Sequence, residues 1–457
     1  MFQESTSHPP ASVQADGESL PPLRIGLLGL GTVGAGTWHV LKRNQALIRA
    51  RTGRDMVITQ VAVRDLARAA TIVGSAVTLT TNPFAIVTHP DIDVVVEVMG
   101  GTTLARELVL QAIRHGKHVV TANKALLAEH GTEIFAAAEA QGVIVAYEGA
   151  VAVSIPIIKA LREGLVANRI AWLAGIINGT SNFILYAMHS QGLAFDDALA
   201  DAQAQGFAEA DPRFDVDGID AAHKLSLLAA NAFGTLVQFA QVHIEGIAGL
   251  QVADMAYAEQ LGYRIKLLGI ARRAGSGVEL RVHPALVPAD HLMAAVDGSM
   301  NAVLVQSDAA GLTLHYGAGA GSEQTASAVI ADLVDVARAD SASPHQRVPH
   351  LGFQSQTLLE MPVLPIAEGV SGYYLRFDLA PDGLVQAPTE VLQCLAQAGV
   401  GVQSQACLQH HRDAARKAFT VLTRPVAHAV LLQSLQQMQA LPSAPGLPTV
   451  LRVEPLA

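Results

Sequence analysis

The sequence has few charges and almost no cysteine. Only 15% of its 457 residues are charged, and its two cysteines are Cys394 and Cys407. Two cysteines without CxxC spacing predict neither a disulfide framework nor a zinc site, so a reducing cytoplasm is expected. The first 20 residues contain no lysine or arginine and therefore lack the basic start of a signal peptide. Residues 1–22 are predicted to form a disordered tail.

Basic runs and long apolar runs are also missing. The net charge of -10 and the absence of clustered lysine and arginine argue against nucleic acid as a partner. Mean hydropathy is high at +0.32. However, no window offers the roughly 18 apolar residues of a membrane span, because Arg169, Lys266 and Arg272 interrupt the most apolar regions. These features indicate a soluble protein of two or three domains that does not bind membranes.

The first 150 residues alternate apolar strands with helices. This order is typical of a parallel, doubly wound Rossmann-type sheet in an α/β protein. Predicted strands occupy residues 23–31, 57–65, 91–101, 118–123 and 143–149. Predicted helices occupy residues 33–50, 106–117 and 124–142.

Beyond residue 150 the pattern indicates two α+β units. Strands at 169–179 and 278–288 and helices at 219–234 and 322–339 predict a mixed sheet. A small unit of β-α-β-α order follows, at 373–380, 389–399, 417–424 and 427–441. We therefore predict a cofactor-binding domain, a catalytic and dimerisation domain, a linker and a small C-terminal domain, at residues 23–150, 151–340, 341–365 and 366–457 respectively.

A glycine-rich turn lies between the first predicted strand and helix. In GLGTVG, Gly29 permits the tight turn, Gly31 lets a pyrophosphate approach the backbone, and Gly34 allows close helix–strand packing. This context predicts a dinucleotide site rather than an ordinary glycine turn. The second strand ends in VRD, where Arg64 suits a 2′-phosphate and Asp65 suits a ribose hydroxyl. The pair favours NADP, with NAD as the alternative.

Lys124 ends the motif TANK after the fourth predicted strand. Ligands bind at the carboxyl ends of strands in such sheets, so this lysine could move a proton beside a nicotinamide. From its position alone, a lysine that points into water at a helix start is an equally good interpretation.

The stretch GFAEADPRFDVDGIDAAHK, residues 206–224, holds five acids in a sparsely charged chain. Asp217 is a predicted N-cap for the following helix. Asp220 and Lys224 are four residues apart, so the carboxylate could orient an ammonium that polarises a carbonyl. Glu209 and Asp215 could hold a substrate cation. The alternative for the Asp220–Lys224 pair is a surface salt bridge. The alternative for the preceding loop is a solvated turn or a divalent metal site.

These residues resemble homoserine dehydrogenase. The motifs that carry the resemblance span roughly residues 24–335, in the order of the family: GLGTVG, VEVMGGTT, GKHVVTANKALLA, IPIIKALREGL, GIINGTSNFIL, GFAEADPRFDVDGIDAAHKL and GAGAGSEQTASAV. The resemblance implies reversible, NAD(P)-dependent conversion of L-aspartate 4-semialdehyde to L-homoserine. It also implies a homodimer or homotetramer and a C-terminal module of the ACT type.

The resemblance also assigns roles by position. It implies that Lys224 and Lys124 handle the reacting carbonyl and its proton, with Asp220 orienting Lys224. Substrate contacts would come from Glu209, Asp215, Gly179 and Thr180. Besides the three glycines of the turn, cofactor contacts would come from Thr32, Val33, Arg64, Lys124 and Gly321. A sodium or potassium ion would be held by backbone carbonyls of Glu148, Val151, Val153 and Ile155.

The sequence departs from the family in three places. VAVSIPII has Val153 and Ser154 where the family has two glycines, which weakens the prediction of a cation loop. Gln324 replaces a proline at a predicted helix start, a change that we expect to be tolerated. The ACT turn DxPGVLA appears only as APDGLVQAP at 380–388. That change argues against threonine as an effector, although an ACT-like fold is still expected.

Two other functions fit the sequence less well. Another amino-acid or sugar oxidoreductase, such as aspartate dehydrogenase, would share the sheet but not the ADPRFDVDGIDAAHK run. A regulatory sensor without catalysis would have lost catalytic residues, whereas Lys124, Glu209, Asp220 and Lys224 are all present.

Overall fold

The computed structural model describes residues 20–379, 386–410, 413–439 and 448–456. Its strands are β1 (Leu23–Leu28), β2 (Met56–Ala62), β3 (Thr78–Thr80), β4 (Val94–Glu97), β5 (His118–Thr121), β6 (Val145–Ala146), β7 (Ile170–Ile176), β8 (His243–Ile244), β9 (Tyr263–Ala274), β10 (Gly277–Pro288), β11 (Met300–Ser307), β12 (Gly311–Ala318), β13 (Val370–Leu379), β14 (Val402–His410), β15 (Asp413–Thr423), β16 (Val426–Ala427) and β17 (Thr449–Val453). Its α-helices are α1 (Thr32–Arg43), α2 (Gln45–Thr52), α3 (Leu66–Val73), α4 (Pro83–Val87), α5 (Thr103–Arg114), α6 (Lys124–Gln141), α7 (Ile157–Lys159), α8 (Gly179–Ser190), α9 (Phe195–Ala204), α10 (Arg213–Val216), α11 (Ile219–Phe233), α12 (Val252–Gln260), α13 (Ser322–Ala339), α14 (Gln386–Gln397) and α15 (His428–Met438).

The first six strands form one parallel sheet. Their order, β3-β2-β1-β4-β5-β6, is that of a Rossmann fold, which confirms the predicted fold class. The predicted helix at 33–50 is in fact two helices, because Asn44 leaves helical geometry at φ -106° and ψ 16°. The strand predicted at 91–101 is shorter. Only Val94–Glu97 pair with neighbours, and the two glycines after them turn at positive φ.

The other strands form an eleven-stranded mixed sheet. Its main path is β12-β11-β7-β9-β10-β17-β13-β15-β14, with β8 and β16 paired alongside. Helix α11 contacts this sheet at β7, β9 and β10, and every residue of the helix after Ile219 is buried. One face of the helix packs on these strands. Its second face is covered by α6, which belongs to the first sheet's layer.

The C-terminal unit has the order β13-α14-β14-β15-α15-β17. This is the β-α-β-β-α-β pattern of ferredoxin-like domains. The predicted β-α-β-α order was therefore incomplete, since it missed β14 and β17. Strand β17 lies between β13 and β10, so the unit continues the larger sheet. The altered ACT turn lies mostly outside the described residues, so the argument against threonine binding stays a prediction, as do the predicted tail and the domain limits.

Helix α13 returns from the second sheet to pack on α1. The Ser322 hydroxyl donates to the Thr32 carbonyl at 2.6 Å. The helices approach so closely that a Cβ on Gly36 would lie 2.6 Å from the Ser322 carbonyl oxygen. This packing brings Gly321 beside the glycine-rich turn. Among the described helices, none is both long enough and apolar enough to cross a membrane.

Candidate active site

The glycine-rich turn has the form of an anion cradle at the start of α1. Gly29 has a φ of 99°, and a Cβ on Gly34 would lie 2.2 Å from the Gly29 carbonyl oxygen. Gly31 is the N-cap, and a Cβ there would meet no atom within 4 Å. No side chain caps α1 and its first turn holds no acid, so its N–H groups can receive a pyrophosphate. Thr32 and Val33 supply part of this turn.

Arg64 and Asp65 have different surroundings. The Asp65 carboxylate caps α3 by accepting a hydrogen bond from the Arg68 backbone N–H at 2.9 Å. Arg64 is exposed just beyond β2, at the carboxyl end of the sheet. The acid that could have bound a ribose hydroxyl thus already has a structural partner.

Lys124 is the first residue of α6, directly after β5. The Asn123 side chain caps this helix by accepting from Leu126 N at 3.1 Å, and its amide donates to the Gly101 carbonyl at 2.7 Å. The turn therefore fixes the start of α6. The Lys124 ammonium lies 3.1 Å from an oxygen of Asp220, and its side chain is 32% exposed. This lysine does not simply point into water.

Asp220 and Lys224 form a buried pair on α11. The Lys224 ammonium donates to Asp220 Oδ2 and to the Ile177 carbonyl oxygen, each at 2.8 Å. An ammonium has three protons, so one is left for a third acceptor. Asp220 uses its other oxygen for Lys124. The carboxylate thus bridges two lysines that are a hundred residues apart, a sharing that the i,i+4 spacing alone did not predict.

Asn178 completes this network, and sequence reasoning missed it. Its amide donates to Asp220 Oδ2 and to Asp215 Oδ1, both at 2.8 Å. Its carbonyl oxygen accepts from Ser181 N at 2.7 Å and so caps α8. An asparagine before Gly-Thr-Ser is a recognisable N-cap signal. No sequence pattern indicates that the same side chain also holds two aspartates.

The charges of this network shift each other's pKa values. Burial lowers the pKa of Lys224, and Asp220 opposes that shift. Lys124 is more exposed, and attraction to Asp220 raises its pKa. Burial tends to raise the pKa of Asp220, but the two ammoniums and the Asn178 amide lower it well below the ordinary value. Asp220 is therefore ionised at neutral pH, and Lys224 releases a proton more readily than an ordinary lysine.

The predicted substrate residues lie around this pair. Asp215 is partly buried, and burial raises the pKa of its carboxyl. The Thr180 hydroxyl donates to the Phe207 carbonyl at 2.8 Å. Gly179 begins α8, and a Cβ there would lie 2.7 Å from the Ser299 carbonyl oxygen. Glu209 is exposed, yet its charge contributes to the raised pKa of Lys124. Asp215 and Glu209 are thus near enough to Lys124 for their charges to act on it.

The remaining two acids of the stretch, Asp217 and Asp211, lie outside the network of Asp220 and the two lysines. The prediction that Asp217 caps α11 is wrong: the cap is Gly218, whose φ of 84° strongly favours glycine, and Asp217 instead ends α10. Asp211 pairs with Arg213 at 2.5 Å, and both side chains are mostly exposed.

In the loop where a cation is predicted, the Glu148 carboxylate is already hydrogen-bonded, which leaves backbone oxygens as the candidate ligands. Both carboxylate oxygens of Glu148 accept from N–H groups, those of Ile158 and Lys159, at 2.9 Å. Val153 has a φ of 51°, so it keeps a glycine-like conformation without being glycine. The carbonyl of Ile155, two residues after Val153, accepts a hydrogen bond from Ile157 N at 2.7 Å. Within the described residues, no cluster of three or more His, Cys, Asp or Glu side chains could hold a metal.

Comparison with known proteins identifies relatives over nearly the whole chain. A homoserine dehydrogenase family model matches residues 156–334, and a model of the homoserine dehydrogenase NAD-binding domain matches residues 29–148. A homoserine dehydrogenase of Pseudomonas aeruginosa is 52% identical over 437 residues, covering 96% of this chain and 100% of its own. One from Neisseria gonorrhoeae is 49% identical over 444 residues, with the same coverage.

Solved structures agree with these relatives. The crystal structure of a homoserine dehydrogenase from Thiobacillus denitrificans superposes with a TM-score of 0.89 at 53% identity, covering 95% of this chain and 99% of its own. One from S. aureus superposes with a TM-score of 0.73 at 31% identity and equal coverage.

Replacing Asp220 with Asn should destabilise the fold. The change leaves two buried ammoniums without their carboxylate, so the free energy of unfolding at pH 7 should fall by roughly 3–5 kcal/mol. The folded pKa of Asp220 lies below its unfolded value of about 3.9. Its contribution is therefore complete above that pH and declines as the pH falls towards the folded pKa. Urea unfolding at pH 7 and at pH 3 measures both effects.

Asp211→Asn is the matched control, because it removes an exposed acid of the same stretch. Its urea midpoint at pH 7 should equal that of the wild type. Equal midpoints for Asp220→Asn and the wild type would show that the shared carboxylate does not hold the site together.

Proposed function

The chain belongs to the homoserine dehydrogenase family, and we propose that its network of Asp220, Lys124 and Lys224 is where the reaction takes place. It is an NAD(P)-dependent oxidoreductase whose family interconverts L-aspartate 4-semialdehyde and L-homoserine, on the route to threonine and methionine. The proposal rests on one observation: a buried carboxylate fixes two ammoniums at the carboxyl ends of the cofactor-binding strands. We place the reaction in the cytoplasm.

Lys224 polarises the aldehyde oxygen. Two of its protons are donated to Asp220 and to the Ile177 carbonyl. These two hydrogen bonds fix the orientation of the ammonium and therefore the direction of its third proton. NAD(P)H, when bound, would supply the hydride that reduces the aldehyde carbon, and the carbonyl electron pair would move to oxygen. An ammonium fixed beside that oxygen stabilises the charge as it develops.

The oxygen then takes a proton from Lys224, from Lys124 or from a water held by one of them. The lowered pKa of Lys224 suits such a transfer, since a buried ammonium gives up its proton more easily. In the reverse direction the same group receives the proton of the alcohol.

Glu209 and Asp215 bind the ammonium of the amino-acid substrate. Asp215 lies on the network through Asn178, which ties the position of the amino group to that of Asp220. Thr180 and Gly179, at the start of α8, form the adjoining wall of the substrate pocket. An ammonium at one end and an oxygen at the other give the substrate a single orientation.

NADP is the proposed cofactor. One oxygen of Asp65 caps α3, and Arg64 is exposed at the end of β2, where it can receive a 2′-phosphate. Gly321 lies next to Ser322, which is bonded to the glycine-rich turn, and would contribute a backbone contact.

A sodium or potassium ion would lie in the loop from Glu148 to Ile155. The positive φ of Val153 supports this, because the loop keeps the path that glycine would follow. Carbonyls of Glu148, Val151, Val153 and Ile155 would bind the ion. Turnover in buffers with potassium, sodium or only a bulky organic cation tests the proposal, and equal rates would count against it.

The protein would form at least a homodimer. Strand β12 pairs only with β11 among the described strands, and it exposes Leu312, Leu314 and Tyr316 on one face. An apolar face on an edge strand favours association with a second copy. Light scattering measures the mass. A monomer at micromolar concentration would contradict this assignment.

Replacing Lys224 with Met should abolish turnover and spare cofactor binding. The substitution keeps the length of the side chain but removes the charge, so kcat should fall by at least about 100-fold. The dissociation constant for NADPH should change by less than about threefold. Homoserine-dependent NADP reduction and NADPH fluorescence titration measure the two quantities. Lys417→Met, an exposed change in β15, is the control.

Two results would contradict the functional proposal. A wild-type enzyme that oxidises homoserine with neither NADP nor NAD would refute it. Near wild-type kcat in Lys224→Met would instead remove this lysine from the reaction and leave the family assignment intact.

Replacing Arg64 with Ala should change cofactor preference. Loss of one charged hydrogen bond, roughly 1.5–3 kcal/mol, corresponds to about a 10- to 100-fold lower kcat/KM with NADPH. The value with NADH should stay nearly constant, because NADH has no 2′-phosphate. Steady-state rates with both cofactors test this, and Arg68→Ala, a neighbouring surface change, is the control. An equal decrease for both cofactors would rule out the phosphate contact.

A further inference from the structure

Phe214 is an exposed aromatic residue in the middle of the acidic stretch. It lies on α10, and 38% of its side chain is exposed. The Lys124 ammonium lies over its ring at 5.7 Å from the ring centroid. None of the roles assigned to this stretch explains why a large apolar side chain should stay open to solvent beside an ammonium.

The open side of Phe214 faces a cavity of about 280 Å³. Every other residue that lines this cavity comes from the Rossmann unit, including Val33, Gly100, Gly101 and Lys124. These residues follow the carboxyl ends of β1, β4 and β5. That edge of the sheet, beyond the pyrophosphate turn, is where the nicotinamide half of a dinucleotide binds.

Part of the cavity lining is bare backbone. Gly100 and Gly101 both have a φ of 76°, and a Cβ on either would meet no atom within 4 Å. A lining that combines glycine backbone with a phenyl ring suits a flat, largely apolar ring. The exposed face of Phe214 would be covered when such a ring is bound.

We propose that Phe214 contacts the nicotinamide ring as the outer wall of its pocket, and that His223 is the positioning residue that holds Phe214 there. This inference rests on the proposed function, because it assumes that the cavity takes the reactive end of NADPH. It deepens that function by assigning a cofactor contact to the substrate domain's own acidic stretch.

His223 holds the ring by packing. Its imidazole lies 5.2 Å from Phe214 and 4.2 Å, edge to face, from Phe239. The residue is 2% exposed, and its Nδ1 has no hydrogen-bond partner among the described residues. Burial lowers the pKa of His223 to about 4, and both nearby lysines oppose its protonation. The imidazole is therefore neutral and adds no third positive charge.

A phenyl wall at this place also keeps water from the reacting groups. The Lys124 ammonium lies between the face of Phe214 and the Asp220 carboxylate. These contacts hold it in place and leave it with N–H groups that are free to donate. Hydride transfer and proton transfer would then occur in one dry compartment.

The test uses the full chain and two probes of cofactor binding. NADPH carries the nicotinamide, whereas 2′,5′-ADP carries only the adenine half. Phe214→Ala should raise the NADPH dissociation constant about 5- to 50-fold, as expected for the loss of an aromatic stacking partner. The constant for 2′,5′-ADP should stay within twofold. The fluorescence gain of NADPH on binding should also fall, and Phe214→Tyr should restore both properties.

Phe353→Ala is the matched control, since it removes an aromatic side chain that is 37% exposed and lies away from this cavity. Unchanged NADPH affinity in Phe214→Ala, or an equal loss for both probes, would overturn the nicotinamide contact. A wild-type protein that binds 2′,5′-ADP but oxidises no homoserine would instead refute the proposed function.

The role of His223 has its own readout. His223→Phe should keep NADPH affinity and kcat within about threefold, because an aromatic ring still supports Phe214. His223→Ala should weaken NADPH binding in the same way as Phe214→Ala, without a change in 2′,5′-ADP binding. A large loss of kcat in His223→Phe with unchanged NADPH affinity would show proton transfer by the imidazole and overturn the positioning role.

Discussion

Both lysines of the site depend on one buried carboxylate, that of Asp220. Two ammoniums in an apolar interior would repel each other and lose protons to water. Asp220 offsets both effects, and it does so from α11, while Lys124 begins α6. The same contact therefore joins the cofactor-binding layer to the substrate layer. In the proposed mechanism, the geometry of the reacting groups would follow from how these two helices pack.

The sequence predicted the parts of this site better than their arrangement. Glycine spacing, strand–helix alternation and the four-residue gap between Asp220 and Lys224 are local signals, and local geometry decides them. The bridge from Asp220 to Lys124 and the double contact of Asn178 depend on tertiary packing between distant segments. No periodicity could reveal them. The prediction that Asp217 caps α11 was wrong because it considered only the residue type. The backbone at the cap has a positive φ, which Gly218 adopts.

The C-terminal unit was predicted least well, since two of its strands were missed. Strand β17 is short, and it pairs with β10 and β13. Its own residues do not predict this pairing. Arg376 meets Asp254 at 2.6 Å with both side chains buried, and separating them would leave a buried charge uncompensated. The unit is thus continuous with the sheet on which α11 packs. Any influence it has on the site would pass through that shared sheet.

The net charge of the network suits the reaction better than either sign alone would. Lys124 and Lys224 contribute two positive charges and Asp220 one negative charge, which in the proposed mechanism would leave one positive charge facing the aldehyde oxygen. That surplus would matter most when the oxygen becomes negative, so it would stabilise the transition state more than the bound aldehyde. Asn178 is important here because it satisfies Asp220 with a neutral amide. A third cation at its position would bind the aldehyde's own ammonium less well, and an acid would cancel the surplus.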